Sequence, residues 1–328
     1  MRLFDDTRQK ISFFGQLFNL EKTASVIEDG NLPYPLPDNK GGGGGMHIEL
    51  KNVCFTYPGA KSPKKALSNV TFTIQPGALV VIVGANGSGK TSFLKLLTRL
   101  YNPDSGTILI DGEDIRKYSM ADLRQTMATL TQDHRLFPLS ISENIGLGFS
   151  DKVDDEEMIR DAAAKGGAVQ LIEKLDEKMK TILEPRSLQY GNHVSAGDGT
   201  LLGKELHALR KSRDVSGGER QRLVASRTFM RFNSGKIKLV AIDEPSSALD
   251  PEGELELFNN FLAAKQVNGC TMICVTHRFG HLTKHADQII CLKDGEVVEM
   301  GNHSELVALG GEYLKMYHIQ ARAFESDS

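Results

Sequence analysis

Apolar and polar positions alternate with a period of two over residues 47–57 and again over 66–74, with Pro58-Gly59 and Pro76-Gly77 after the first run and between the second and the next. That period predicts half-buried strands, here read as antiparallel. Residues 78–83 are apolar without alternation and end at a glycine, which reads as a fully buried strand. Residues 92–101 then switch to helical spacing through Phe93, Leu94, Leu97 and Leu100. The unit is strand, glycine loop, helix. Helical patterns at 154–164, 168–179 and 217–232 predict a helical subdomain over about 135–232. Strand patterns return at 237–242, 271–276 and 288–292, and Asp294-Gly295 closes a hairpin into 297–300. A terminal helix is expected from about 304 to 323, opened by Ser304 and Glu305.

The first 45 residues have another character. An amphipathic run at 11–20 leads into Pro33, Pro35 and Pro37 and then Gly41 to Gly45. A glycine tract behaves as a flexible linker, so residues 1–45 are read as a leading segment and 46–328 as one domain. Residues 187–202 carry glycines and little periodicity, as a long surface loop does, and the run with Lys204, Arg210, Lys211 and Arg213 reads as a solvated helix face.

Composition narrows the class. With 40% hydrophobic residues in 328, a sizeable core is available. A net charge of −3 gives no electrostatic footprint for nucleic acid, so none is expected as a partner. Cys54, Cys270, Cys274 and Cys291 lack zinc-ligand spacing and read as small core residues. No run approaches the ~18 apolar residues of a membrane helix, and Asp5, Asp6, Arg8 and Lys10 interrupt the start before a secretory signal develops. The chain itself is therefore expected to be soluble.

Three places carry chemistry. Gly84-Ala85-Asn86-Gly87-Ser88-Gly89-Lys90-Thr91, followed by Ser92 at the helix start, has the spacing of a phosphate loop in strand-to-helix context. Small residues let backbone N–H groups wrap the phosphates, Lys90 neutralises the outer ones, and Thr91 offers a hydroxyl to Mg²⁺. The apolar run 239–242 ends in Asp243 and Glu244, and the end of a strand is where an open α/β sheet places ligands. Asp243 suits the metal sphere; Glu244, one residue on, is expected to point the other way and polarise an attacking water. Val215-Ser216-Gly217-Gly218-Glu219 opens a helix with unpaired N–H groups at its positive end, an anion site built from backbone.

Taken together these elements resemble the ABC (ATP-binding cassette) ATPases, and the resemblance runs from about residue 47 to 301. The family's signature normally has leucine first and glutamine fifth; Val215 and Glu219 stand there in this chain. The resemblance implies an α/β fold: a P-loop NTPase (RecA-like) core, an antiparallel β subdomain and an inserted α-helical subdomain. It also implies roles for further residues. Tyr57 matches the aromatic that stacks on adenine, Gln132 the glutamine that senses Mg²⁺ and the attacking water, and His277 the histidine that contacts the γ-phosphate. Ser247-Ala248-Leu249-Asp250 matches the loop that crosses to a partner subunit. In the family two such domains, identical or different, pack head to tail, and the phosphate loop of one and the signature of the other enclose each ATP with Mg²⁺.

The stretches 102–112 and 136–145 look most like exporter-type transporters, where the segment after Gln132 meets the membrane domain and a leader such as Leu17-Phe18-Asn19-Leu20 leaves the last membrane helix. The resemblance thus implies a partner membrane domain, in a longer parent chain, and a place on the cytosolic face of a membrane, or else a transporter relative lacking its membrane half. The long loop at 187–202 departs from exporters, which carry a short acidic-Gly segment before the signature. The alternative is a soluble ABC ATPase acting on nucleic acid or ribosomes. Members of that kind carry long coiled coils between the motifs or two cassettes per chain, and this chain has neither.

Overall fold

The computed structural model describes residues 27–36, 44–59, 64–131, 135–183, 215–244, 249–276 and 280–325. The leader 1–26, Gln132, the loop 187–202, the basic run 204–213, Ser247, Ala248 and His277 lie outside the described residues.

Strands β1 (Ile48–Phe55) and β2 (Leu67–Ile74) pair antiparallel with Ile48 opposite Ile74, as their alternation predicts. The pairing register shifts between Leu50 and Val53, where Asn52 turns to φ 50° and its N–H donates to Thr71 Oγ1. Strand β4 (Ser105–Ile110) pairs on the other edge of β1 and the short β5 (Glu113–Asp114) completes the order β2-β1-β4-β5. Residues 27–36 lie against this part of the fold: Tyr34 meets the Tyr118 ring edge-on and donates to Asp111 Oδ2, and buried Arg99 donates to the Glu28 carbonyl.

The second sheet is six-stranded. Its order is β10 (Glu296–Gly301), β9 (Gln288–Lys293), β3 (Leu79–Val83), β8 (Thr271–Val275), β7 (Leu239–Asp243) and β6 (Met127–Leu130). All neighbours are parallel except β10, which closes a hairpin onto β9. β3, β7 and β8 are buried at every position because both faces are covered. Their side chains divide by the period of two: Val80, Ile82, Ala241 and Ile273 join the core under the antiparallel sheet, while Val81, Val83, Val240 and Cys274 join the core under the helices. The order has a functional consequence: the C-terminal ends of β3, β8 and β7 stand side by side.

Helix α1 (Lys90–Leu97) follows β3, and α2 (Met120–Gln125) precedes β6. The predicted helical insert contains α3 (Ile141–Gly146), α4 (Glu156–Lys165), α5 (Val169–Glu173) and α6 (Gly217–Phe232). A capping box of Ser140 with Glu143 starts α3, and Asp155 caps α4. Then come α7 (Pro251–Asn268), α8 (Gly280–Lys284), α9 (His303–Leu309) and α10 (Glu312–Glu325).

Several expectations shift. The single terminal helix is two, because Gly310 at φ 69° closes the first, and Asn302 rather than Ser304 caps it through a box with Glu305. The helix expected over 168–179 stops at Glu173, and a 3-10 turn (Lys178–Lys180) starts on left-handed Lys178. Strand β6 and helix α7 go unforeseen by the pattern. In α7, exposed Leu255 and Val267 alternate with buried Leu257, Phe258 and Phe261, so no single apolar stripe marks the helix. Cys270, Cys274 and Cys291 are buried, and burial pushes the latter two thiols up to about 12. Among the described residues no helix is long and apolar enough to cross a membrane.

Candidate functional site

The phosphate loop is shaped by what surrounds it. A Cβ on Gly84, at φ 156°, would fall 2.3 Å from the Leu292 carbonyl oxygen and 2.5 Å from Ser88 Oγ. On Gly89, at φ 106°, it would fall 2.6 Å from the Ala66 carbonyl oxygen. The loop is therefore wedged between the end of β9 and the start of β2, and only glycine fits these two positions. Ala85, Asn86 and Gly87 stay exposed while Ser88, Gly89 and Lys90 are buried, which presents backbone to solvent at the N-terminus of α1. Lys90 Nζ donates to the carbonyls of Gly84 (2.8 Å) and Ala85 (3.1 Å). Burial lowers its pKa, and the charges of Glu244 and then Asp243 oppose that. Thr91 is exposed beside it.

Tyr57 stands at the flank of α1. Its hydroxyl lies 3.0 Å from Ser92 Oγ, Phe55 and Tyr101 meet its ring edge-on, and Lys95 Nζ sits 5.2 Å from the ring centroid. Ser92 thus joins the expected aromatic to the loop.

Asp243 is the last residue of β7 and is 3% exposed. Burial raises its pKa, opposed first by the Thr91 hydroxyl, and its Oδ1 has no hydrogen-bond partner. A buried carboxylate oxygen with nothing to satisfy it, next to a threonine hydroxyl, is a donor set that fits a hard divalent cation. Glu244 does not continue the strand alternation expected of it. It turns to φ 50° while its N–H donates to the Val275 carbonyl at 2.9 Å, so a left-handed pivot sets where its carboxylate goes. The sheet thus brings Lys90, Thr91, Asp243 and Glu244 to one edge; Gln132 and His277, each two residues past the end of its strand, β6 and β8, lie outside the described residues.

The signature start is a separate surface. Val215 is buried as an anchor, whereas Ser216 and Gly217 are exposed. A capping box closes the start of α6: Glu219 N–H donates to Ser216 Oγ at 3.2 Å and Ser216 N–H to Glu219 Oε2 at 2.8 Å. The sequence pattern alone predicts all these N–H groups unpaired. With the box formed, Gly217 and Gly218 are the ones without an intrahelical acceptor. Among the described residues, Ser216 to Glu219 make no hydrogen bond to loop residues 84–91. Leu249 is buried, and Asp250 occupies the N-cap position of α7.

A groove of about 750 Å³ separates α1 from α6. Its lining includes Thr91 and Asp243 together with Arg124, Phe137, Leu147 and Arg227. Phe137, Leu147 and Leu100 are exposed. Arg227 holds this wall: it donates to the Asn144 carbonyl at 2.7 Å and to Asn144 Oδ1 at 2.8 Å, and its guanidinium lies 5.2 Å from the Phe137 ring. Asn144 falls within the exporter-like stretch 136–145, but Arg227 stands in no motif, and only an amphipathic reading of α6 with its arginine on the apolar side points to it.

The family described as "ABC transporter" matches residues 67–247. An "ATP-dependent lipid A-core flippase" of Pasteurella multocida is 34% identical over 274 residues, 84% of this chain and 41% of its own length. An "Iron-sulfur clusters transporter atm1, mitochondrial" of Aspergillus fumigatus is 33% identical over 325 residues, 99% of this chain and 39% of its own. The chain therefore spans less than half the length of these relatives. A solved structure of a bacterial Atm1-family ABC exporter with ATP bound is similar with a TM-score of 0.75 at 27% identity, over 96% of this chain and 48% of that one.

Proposed function

We propose, from the premise that this chain belongs to the ABC transporter family and is an ABC-type ATPase domain, that it hydrolyses ATP with Mg²⁺ as one half of a head-to-tail dimer and so drives an exporter. The observation that carries this reading is the division of phosphate-binding surfaces. One edge holds Lys90, Thr91, Asp243 and Glu244, and a second, unconnected one is the capped start of α6. Each is incomplete alone.

In this reading residues 84–92 wrap the phosphates, Tyr57 stacks on adenine, and Lys90 leaves its loop carbonyls for the outer phosphates. Asp243 and Thr91, with Gln132, would hold Mg²⁺, which when bound supplies charge neutralisation at the phosphates. Glu244 accepts a proton from the attacking water, Gln132 orients that water and His277 contacts the γ-phosphate. Val215 anchors the signature so that Ser216, Gly217, Gly218 and Glu219 face the other subunit's nucleotide, and residues 247–250 cross beside them. Stabilising charge on the transferred phosphoryl group requires both surfaces.

The partners are then a second ATP-binding domain and a membrane domain, met in a longer parent chain at the cytosolic face of a membrane; residues 1–45 would be the lead-in from it. The exposed apolar rim of Leu100, Phe137 and Leu147 gives the groove beside α6 the character of a seat for a membrane-domain helix. The relatives' named cargoes differ, lipid A-core against iron–sulfur clusters, so likeness here follows the engine rather than the cargo.

Size-exclusion chromatography of a Glu244→Gln chain tests the shared site: ATP with Mg²⁺ should give a dimer and ADP a monomer, and a monomer throughout would contradict it. A Phe137→Cys chain joined to an exporter membrane half should lose thiol labelling compared with the chain alone; equal labelling would contradict the seat.

A further inference from the structure

Arg222 lies on α6 one turn beyond the signature start, and its guanidinium spans three elements. Nη1 donates to the Gly167 carbonyl at 3.2 Å, in the turn after α4, and Nη2 reaches Asp250 Oδ1 at 3.5 Å, at the start of α7. The backbone is cut to fit it. A Cβ on Gly253 would lie 2.6 Å from Nη2 and 2.7 Å from Asp250 Oδ1, and one on Gly167, already at φ 71°, would lie 3.0 Å from Nη1. The same turn is pressed onto α6, since a Cβ on Gly166 would meet Ser226 Oγ at 2.2 Å, and Asn260 of α7 donates to the Lys165 carbonyl at 2.8 Å. Farther along, Phe229 of α6 stacks on Phe261 of α7 with centroids 4.4 Å apart.

The Arg222 to Asp250 contact is not a source of much stability, because Asp250 is 65% exposed and water and salt screen exposed ion pairs. What the fork supplies is geometry: a planar donor held at fixed angles to two acceptors on different elements. Residues 215–219 and residues 247–250 both belong, in the shared-site reading, to the face one subunit offers to the other's nucleotide. We propose that Arg222 is a positioning residue that locks the signature start and the end of the dimer loop into one rigid trans-acting face, without touching nucleotide itself. The inference rests on the shared-site reading above.

The prediction separates a subunit's own site from its partner's. Arg222→Ala should lower kcat about ten-fold, the scale of a small misplacement of a catalytic group, while leaving nucleotide affinity at its own phosphate loop and Tm nearly unchanged. Gly253→Ala, which crowds the guanidinium without removing it, should reproduce the loss. Arg222→Lys, able to reach one acceptor but not both, should restore little.

The decisive assay mixes two full-length variants. Lys90→Ala is defective in its own phosphate loop, and Arg222→Ala in the face it offers. Their heterodimer contains one site with both an intact loop and an intact face, so mixing should restore activity to roughly a quarter of the unsubstituted chain's, half of the dimers carrying one good site. A Ser216→Arg chain mixed with Lys90→Ala is the control for the shared site alone. Restoration in both mixtures supports the inference. Restoration in the control but not with Arg222→Ala or Gly253→Ala overturns it and leaves the shared site standing. Restoration in neither overturns the shared site, and the inference with it. Full activity of Arg222→Ala also overturns it.

Discussion

The two surfaces proposed to bind phosphate are built on opposite plans. The loop side is embedded: Lys90 and Asp243 are buried, their pKa values are displaced by burial in opposite directions, and the sheet edge that holds them is covered on both faces. The signature side is a helix end in solvent, satisfied by its own capping box, with Ser216 and Gly217 exposed. A buried half is expensive to disturb and holds charge ready for chemistry. An exposed, self-capped half is stable unaided and can be offered to another molecule. The contrast teaches which defects should stay inside a subunit and which should cross to its partner.

The sharpest break is at Glu244. If its left-handed pivot serves to aim a proton acceptor, Glu244→Gln should lower kcat by about 10²–10⁴, the usual worth of a general base, with ATP binding kept; steady-state hydrolysis and equilibrium binding measure the two. Next is Lys90. The hydrogen bonds proposed for it to phosphate would be of the charged kind, worth about 1.5–3 kcal/mol, so Lys90→Ala should weaken nucleotide binding by roughly ten- to hundred-fold, read by titration calorimetry.

Asp243 sharpens the comparison through pH. Burial raises its pKa, so if Asp243 holds Mg²⁺ as proposed, protons compete with the ion at higher pH than for an ordinary carboxylate, and Mg²⁺-dependent nucleotide binding should weaken as pH falls. The stability sign is the reverse. A carboxyl with a raised folded-state pKa binds its proton more tightly folded than unfolded, so its charge destabilises the metal-free protein as pH rises through that pKa. Asp243→Asn should therefore raise Tm in metal-free buffer at neutral pH while abolishing the Mg²⁺ and pH dependence of binding; a lower Tm would refute this. The smallest effects belong to the exposed half. Ser216→Ala should cost ~1 kcal/mol as a lost cap, and Glu219→Gln, which keeps the capping box, should stay within ~0.5 kcal/mol, both by denaturant melts, with loop-side nucleotide affinity unmoved.

Much of this was legible before any coordinates. The phosphate loop, the strand ending in Asp243 and the Ser-Gly-Gly helix start are local in sequence, and each writes its geometry in a few adjacent residues. Strands β3, β7, β8 and β9 were legible for the same reason, since a short apolar run bounded by turns has few alternatives. Glu244 follows the strand end that the sequence predicts, but the strand itself stops at Asp243 and the left-handed φ of Glu244 is not legible from an alternating pattern. Arg222 and Arg227 stayed hidden because their partners, Gly167, Asp250 and Asn144, are distant in sequence and meet only in the packed insert. Helix α7 was hidden by apolar residues on more than one side, and the second terminal helix by a glycine whose backbone angle no periodicity shows.

The claim that active sites form only between two copies is tested most directly by ATPase activity per chain across a dilution series spanning monomer and dimer, with association state followed by light scattering. Activity per chain should climb with concentration in step with the dimer fraction and then level off. Activity that holds constant down to dilutions where only monomer remains would contradict the account.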